Sequence, residues 1–181
     1  MQTASTWSVR PLTMDDVPSL LEWYNDEELH HIANSRAFLP YTLDELLTYW
    51  KKKLNRDHAL YFVIERDGEL IGRCGLKASL PTRVEMEFSI LIARRALFSK
   101  GIGTAVTTHM LDVAFANPQV QVVRLYVRRD NARAQRCYVK SGYRIVHSFT
   151  QNGVATEMMQ VERSEWSKRR TQQDEDRMEL A

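Results

Sequence analysis

The sequence has few of the features that mark secreted, metal-binding or membrane proteins. Its 181 residues include only two cysteines, Cys74 and Cys137, and these form no C-x-x-C pair. A disulfide framework and a structural zinc site are therefore not expected, and both thiols are interpreted as small core residues of a reduced, cytoplasmic protein. The 5 histidines are scattered rather than set at ligand spacing, so no metal is expected. Apolar runs are short, and residues 1–10 lack an apolar segment behind a basic start, so neither a membrane span nor a secretion signal is predicted.

An excess of charge of one sign is also missing. The 25 Lys and Arg residues nearly balance the 23 Asp and Glu residues, and the formal net charge is +2. This balance gives no argument for a nucleic acid or a membrane as partner. The length suits one domain with a real core, predicted over residues 7–163 and followed by a charged C-terminal tail, residues 164–181. The tail is interpreted as either a solvated helix or a frayed end.

Apolar periodicity and turn signals predict a single α/β domain with a mixed, mostly antiparallel twisted sheet of about seven strands flanked by about four helices. The predicted strands are 7–12, 60–65, 70–76, 84–92, 122–127, 143–150 and 155–161. The predicted helices are 14–24, 43–54, 103–117 and 131–140, with irregular or short helical pieces over 25–41. Asp67-Gly68 and Asn152-Gly153 are hairpin turn signals, and Thr42 with Glu45 forms a capping box.

The most informative segment is the loop Phe98-Ser-Lys-Gly-Ile-Gly103, which joins a β-branched apolar run to a helical pattern. Such a junction leaves the first backbone N–H groups of a helix unpaired and directed at one spot, and glycines let a bulky anion approach them. The alternative is that the glycines only make a turn. The Walker spacing is absent, and Val106 occupies the third position of the dinucleotide fingerprint. The remaining phosphate loop is the one that binds the pyrophosphate of acyl-coenzyme A.

The same loop resembles the Q/R-x-x-G-x-G/A motif of the GNAT superfamily of N-acetyltransferases, with Phe98 in place of Gln or Arg. A second block is similar to that family: a strand at Arg124-Leu-Tyr-Val127, followed by Asn131-Ala-Arg-Ala-Gln-Arg-Cys-Tyr-Val-Lys-Ser-Gly-Tyr143, which matches N-x-R-A-x-x-x-Y-x-K-x-G-F/Y. The resemblance covers about residues 9–161. Residues 9–16 and 22–26 look most like the branch with ribosomal-protein N-terminal and small-amine acetyltransferases.

The resemblance implies the GNAT fold, acetyl-coenzyme A as cosubstrate and no metal. By resemblance, Asn131 binds the pantetheine arm or a neighbouring group of the cofactor; alternatively it only caps its helix. The cofactor-binding residues implied in this way are Ile90, Leu91, Ile92, Phe98, Ser99, Lys100, Gly101, Ile102, Gly103, Thr104, Asn131, Arg133 and Tyr138.

Acetyl transfer to an amine needs a base, an oxyanion donor, an acid for the leaving thiolate, and close positioning of the two substrates. The resemblance places the Tyr138 hydroxyl beside the thioester sulfur as the acid; the alternative is a core tyrosine. Strand alternation puts Glu85 and Glu87 on one face. The resemblance makes Glu87 the first candidate for the base, because it stands at the position of the acid in the family's A-E-x-G-x strand, and burial is expected to raise its pKa. Glu85 is the second. The alternative is a glutamate at a wet cleft edge or paired with an arginine.

Charges are unevenly distributed along the chain. Residues 94–144 are strongly basic, which suits the phosphates of coenzyme A. Residues 13–45 are acidic; the resemblance makes them a wall of the acceptor site, and a cationic acceptor would suit that wall. Alternatively, these acids are helix N-terminal residues that face water. The candidate acceptor contacts are His31, Phe38 and Tyr41.

The sequence therefore predicts an acetyl-coenzyme A-dependent enzyme that moves an acetyl group directly to a primary amine of a small cationic molecule. The alternatives are a different acyl group or a protein N-terminus on the same machinery, a coenzyme A-binding sensor without turnover, and nucleotide binding through the glycine loop. Neither nucleic acid nor a membrane is expected as a partner, and both a monomer and a homodimer remain open.

Overall fold

The computed structural model describes residues 6–179, which contain one seven-stranded sheet in the order β1-β2-β3-β4-β5-β7-β6. The strands are β1 (Trp7–Pro11), β2 (Ala59–Arg66), β3 (Glu69–Ala78), β4 (Glu85–Ile92), β5 (Val122–Arg128), β6 (Arg144–Gln151) and β7 (Val154–Glu162). The α-helices are α1 (Val17–Tyr24), α2 (Glu27–Ala33), α3 (Leu43–Leu54), α4 (Ile102–Phe115), α5 (Ala132–Ser141) and α6 (Arg163–Glu179). The α/β class and the strand count are confirmed. Helices α2 and α6 were not among the four predicted helices. Helix α2 lies in the segment 25–41, which was interpreted as irregular or short helical, and α6 forms the charged tail.

Every pair of neighbouring strands is antiparallel except β4 and β5. These two run parallel because the chain crosses over through α4 between them. Their ladder joins only residues 85–87 to residues 122–124. Strand β4 nevertheless continues to Ile92, paired on its other side with β3. The sheet therefore splits between the carboxyl ends of β4 and β5.

Each face of the sheet carries its own hydrophobic cluster, because alternate side chains of a strand point to opposite faces. Ile64 belongs to the cluster around α4, with Val106 and Met110. Its neighbour Val63 belongs to the cluster around α1 and α3, with Leu20 and others. Burying a side chain of this size contributes about 1.5–3 kcal/mol. The two faces are called the α4 face and the α1/α3 face below.

The charged tail starts as a docked helix. The Trp166 ring lies 5.1 Å from that of Phe115, and its indole N–H donates to Asp112 Oδ1 at 2.9 Å. Arg170 forms an ion pair with the same carboxylate at 2.8 Å. Residues 171–178 are exposed and helical. The tail is thus a helix, anchored at its first turns and solvated beyond them.

Across residues 6–179, none of the helices combines the length and the apolar character that crossing a bilayer requires.

Candidate active site

The loop between β4 and α4 leaves the start of α4 open. Its N-cap residue Gly101 has φ +82°, and within the described residues no side chain caps the helix there. The first backbone hydrogen bond across this end runs from Ala105 N to Gly101 O at 3.0 Å. The N–H groups of residues 102–104 precede that bond and have no carbonyl within the helix. They therefore remain available to an anion, as the sequence predicts.

The two glycines of this loop act differently. Gly101 adopts a left-handed conformation that L-residues rarely take, and Ser99 does so too, with φ +60°. Gly103 is a normal helical residue, and a Cβ built there would lie 3.4 Å from Cys137 Sγ. Gly101 is thus needed for the turn, whereas a Cβ at Gly103 would meet α5 at an ordinary contact distance.

A cavity of 240 Å³ lies beside this helix start, between β4, the loop and α5. It opens next to the point where β4 and β5 separate. The residues that line it are Ile90, Ile92, Leu97, Phe98, Ser99, Gly101, Gly103, Thr104, Arg133, Ala134, Arg136, Cys137, Tyr138 and Lys140. Most of the residues predicted to bind the cofactor are therefore brought together in one place.

Four of the predicted cofactor residues do not line the cavity. Leu91 packs in the cluster of the α1/α3 face. Lys100 and Ile102 line a neighbouring cavity of 680 Å³ that also includes Trp7. Asn131 caps α5, since its Oδ1 accepts from Ala134 N at 3.1 Å, and its Nδ2 donates to the Ile32 carbonyl at 3.1 Å. The capping alternative is therefore observed for Asn131.

Five lining residues were not predicted: Leu97, Ala134, Arg136, Cys137 and Lys140. Three of them could have been predicted from the sequence. Arg136, Cys137 and Lys140 follow Arg133 by three, four and seven positions, so they share one face of a helix with it. Along that face, Arg133, Arg136 and Lys140 form a row of cations beside the cavity.

Tyr138 is buried in the wall of this cavity, with a relative exposure of 9%. Its ring meets that of Tyr143 edge to face at 5.9 Å. Burial raises the pKa of Tyr138 well above its ordinary value. The phenol is therefore protonated throughout the physiological pH range and can act only as a proton donor there.

The carboxylates of β4 lie on the other face of the sheet from Ile90 and Ile92. Glu87 forms an ion pair with Lys77 at 3.6 Å, and its side chain is 41% exposed. The predicted burial of Glu87 is therefore wrong: its carboxylate pairs with Lys77, directly opposite on β3, and remains partly open to solvent. Glu85 is paired more tightly, with Arg124 at 2.5 Å.

The acids of residues 13–45 are largely engaged within the chain. Hydrogen bonds from Arg10 lower the pKa of Asp16, and hydrogen bonds from Arg95 lower the pKa of Asp26. Asp26 also caps α2, and Glu45 completes the capping box of α3. Asp26 and Glu45 are thus helix N-terminal acids, as the alternative states, whereas Asp16 is buried and paired with Arg10 rather than facing water.

A third cavity, of 560 Å³, lies near the end of α2, the end of β5 and the β6–β7 turn. Of the three predicted acceptor contacts, only His31 lines it. The Phe38 ring packs against His30 at 5.5 Å, and Tyr41 belongs to an aromatic cluster with Tyr24, 5.4 Å away. The residues that line the third cavity are His31, Asn34, Ser35, Arg36, Ala37, Arg128, Asn152 and Val154.

Residues 6–179 nowhere group three or more His, Cys, Asp or Glu side chains in a way that would hold a metal ion.

Known proteins share this sequence pattern and this architecture. The family model for the acetyltransferase (GNAT) domain matches residues 8–144. The aminoglycoside N(6′)-acetyltransferase type 1 of Klebsiella pneumoniae is 23% identical over 146 residues, which cover 75% of this chain and 73% of that protein. The spermidine N(1)-acetyltransferase of Escherichia coli K12 is 24% identical over 164 residues, covering 84% and 83% of the two chains.

Solved structures have the same fold. An aminoglycoside acetyltransferase in complex with coenzyme A and kanamycin superposes with a TM-score of 0.79 at 20% identity, covering 91% of this chain and 99% of that one. The spermidine N-acetyltransferase of Vibrio cholerae, in complex with coenzyme A and spermine, gives 0.77 at 21% identity, covering 88% and 97%. Since the family model spans most of the domain, including the split strands and the open helix start, the chain belongs to the GNAT acetyltransferase family and is an N-acetyltransferase.

Proposed function

We propose that the protein moves an acetyl group from acetyl-coenzyme A directly to the primary amine of a small cationic molecule. The observation that carries this proposal is the cavity at the split between β4 and β5, which has an uncapped helix start on one side and the buried Tyr138 on the other. The relatives named above support the acceptor class, because they are aminoglycoside and spermidine acetyltransferases.

The cavity fits the parts of coenzyme A. Backbone N–H groups of residues 102–104 receive the diphosphate, since the positive end of a helix favours anions. Ile90, Ile92 and Ala134 supply apolar walls for the pantetheine arm. Arg136 and Lys140 receive the 3′-phosphate, so their replacement by glutamine should weaken binding of coenzyme A more than binding of dephospho-coenzyme A. When bound, acetyl-coenzyme A supplies the thioester carbonyl that an amine can attack.

The acceptor amine enters from the α1/α3 face, opposite the cavity. Glu87 lies at the last paired position of β4 and β5, so it stands at the edge of the split on that face. An alkylammonium has a pKa of about 10 and no lone pair, so it must lose a proton before attack. Glu87 accepts that proton, directly or through water. Glu85 is the weaker candidate because Arg124 holds its carboxylate and it lies farther from the split.

Two further groups of this chain assist the transfer. Beyond Glu87, the backbone groups of β4 that point toward β5 have no ladder partner there. An N–H group among residues 88–92 can therefore donate to the carbonyl oxygen as negative charge builds on it. The Tyr138 hydroxyl donates a proton to the departing thiolate.

The third cavity is the proposed acceptor site, with His31 in its wall. Glu27 stands beside it, since one of its carboxylate oxygens lies 3.5 Å from His31 Nε2, and its side chain is 66% exposed. An exposed carboxylate at the rim suits a second amino group of a cationic acceptor.

A thiol-release assay tests the proposal. Spermidine, an aminoglycoside and a short peptide with a free N-terminus are each mixed with acetyl-, propionyl- or succinyl-coenzyme A and the purified protein. Thiol release that depends on spermidine or the aminoglycoside supports a small cationic acceptor. Release only with the peptide points to a protein N-terminus instead. Tight binding of coenzyme A without release from any amine would indicate a sensor and contradict the proposal.

A further inference from the structure

Two residues from distant parts of the chain meet over the cavity. Phe98 belongs to the loop before α4, and Arg133 belongs to the first turn of α5. The Arg133 guanidinium carbon lies 3.3 Å from the centroid of the Phe98 ring, and both side chains line the cavity. A guanidinium stacked on an aromatic face in this way is attracted by the ring quadrupole.

The charge of Arg133 is not neutralised within the chain. Among residues 6–179, no carboxylate forms an ion pair with Arg133. The Phe98 ring contacts its guanidinium, and Tyr138 and Cys137 lie close enough to interact with its charge. Burial lowers the pKa of Arg133 relative to an ordinary arginine. The guanidinium still stays protonated, because an arginine is not deprotonated in proteins. A half-buried cation that lines a cavity and has no counter-ion within the described residues indicates that the cavity binds an anion.

The contact also limits where that cation can be. A free arginine side chain loses about 2 kcal/mol of rotamer entropy when a ligand fixes it. Stacking on Phe98 orders the guanidinium before any ligand arrives, in the same cavity that Gly103 and Thr104 line. Phe98 is itself held in place, because it packs against the cluster of the α1/α3 face.

We propose that Phe98 is a positioning residue: its ring holds the Arg133 guanidinium against the diphosphate of coenzyme A. Phe98 itself carries no charge, so the cation beside this loop comes from Arg133 on α5. This inference rests on the proposed function, since it assumes that the cavity binds coenzyme A.

Calorimetric titration with coenzyme A and with dephospho-coenzyme A tests the proposal through a double-mutant cycle. Phe98→Leu keeps an apolar side chain but removes the π face, and it should weaken binding about 2- to 30-fold. Arg133→Gln should weaken binding about 10- to 100-fold, equally for both ligands, since both carry the diphosphate. The double variant should bind no more weakly than Arg133→Gln alone, because Phe98 acts through Arg133.

Two more variants separate positioning from a structural role. Phe98→Trp keeps an aromatic face and should bind like the wild type. Phe98→Arg combined with Arg133→Gln returns a cation from the loop side and should recover most of the lost affinity. Lys168→Gln on the exposed part of α6 removes the same charge away from the cavity and is the matched control. Thermal unfolding of each variant shows that the fold is retained.

Additive losses in the double variant, or an unchanged affinity in Phe98→Leu, would overturn the positioning role. A loss in Arg133→Gln that is confined to coenzyme A would place Arg133 at the 3′-phosphate and overturn the diphosphate assignment. Failure of the wild-type protein itself to bind coenzyme A would instead overturn the proposed function, so the two failures are distinguishable.

Discussion

Replacing Tyr138 with phenylalanine removes one hydroxyl from the cavity wall and leaves the packing intact. Tyr138 is 9% exposed, and its edge-to-face contact with Tyr143 at 5.9 Å does not involve the hydroxyl. Within residues 6–179 this hydroxyl has no hydrogen-bond partner to lose. The substitution therefore changes the chemistry of the site with little effect on the fold.

The expected loss of turnover follows from the role proposed for the Tyr138 hydroxyl. Without a proton donor the leaving group must depart as a free thiolate, and removal of a positioned acid typically slows turnover about 10²-fold. This corresponds to about 2.7 kcal/mol of transition-state stabilisation. Affinity for coenzyme A should stay nearly unchanged, because the diphosphate contacts lie elsewhere in the cavity. The free energy of unfolding should change by less than about 1 kcal/mol.

The pH dependence of the wild-type protein gives an independent check. Burial raises the pKa of Tyr138 above its ordinary value, so the neutral, proton-bearing form persists to higher pH. Turnover should therefore not fall between about pH 7 and pH 10 through loss of this acid, whereas an exposed tyrosine would titrate at the top of that range.

Steady-state thiol release measures turnover, and calorimetry measures the affinity for coenzyme A. The matched control is Tyr143→Phe. Within residues 6–179 the Tyr143 hydroxyl is buried without a hydrogen-bond partner, and Tyr143 does not line the cavity. Its removal should leave turnover unchanged and raise the free energy of unfolding by about 1 kcal/mol. Wild-type turnover in Tyr138→Phe, or an equal loss in Tyr143→Phe, would refute the assignment of Tyr138 as the acid.

Three other predictions concern the loop, the thiols and the tail. Gly101→Ala should lower the free energy of unfolding by about 1 kcal/mol and weaken coenzyme A binding, because φ is +82° there; unchanged calorimetry would contradict this. A thiol reagent should modify Cys137 before Cys74, because Cys74 is 1% exposed and burial raises its pKa to about 12. Coenzyme A should protect Cys137 from the reagent, since Cys137 lines the cavity. Equal labelling with and without coenzyme A would contradict binding of coenzyme A in this cavity. Trp166→Ala should lower the free energy of unfolding by about 2 kcal/mol in a denaturant titration with little change in turnover, since it removes a ring contact and a hydrogen bond far from the cavity; a large loss of turnover would tie α6 to the site.

Local signals in the sequence predicted most of the elements. The hairpin turns at Asp67-Gly68 and Asn152-Gly153 appear with positive φ at both positions, as their side chains allow. The capping box of Thr42 and Glu45 starts α3 as expected. Each of these features depends on residues within a few positions of one another. Helix α2 was harder to predict because it is short and has little periodicity to read.

The sequence was less informative about the surroundings of single side chains. Glu87 was expected to be buried, yet it is 41% exposed and paired with Lys77. Asp16 and Asp26 were candidates for an acceptor wall, yet arginines from other segments hold them. Whether a carboxylate is free or paired depends on which distant cation the fold brings within about 4 Å, and periodicity carries no information on that.

By itself, the sequence determined the glycine turn at the start of α4, the helical face that carries Arg133, Arg136 and Lys140, and the order of the strands, because neighbouring residues decide φ, ψ and periodicity. Only the tertiary structure decided that β4 and β5 part after three paired positions, residues 85–87 with 122–124, and that Phe98 meets Arg133 over the resulting cavity. Those contacts join segments far apart in the chain, and packing of both sheet faces against the helices, rather than any local preference, brings them together.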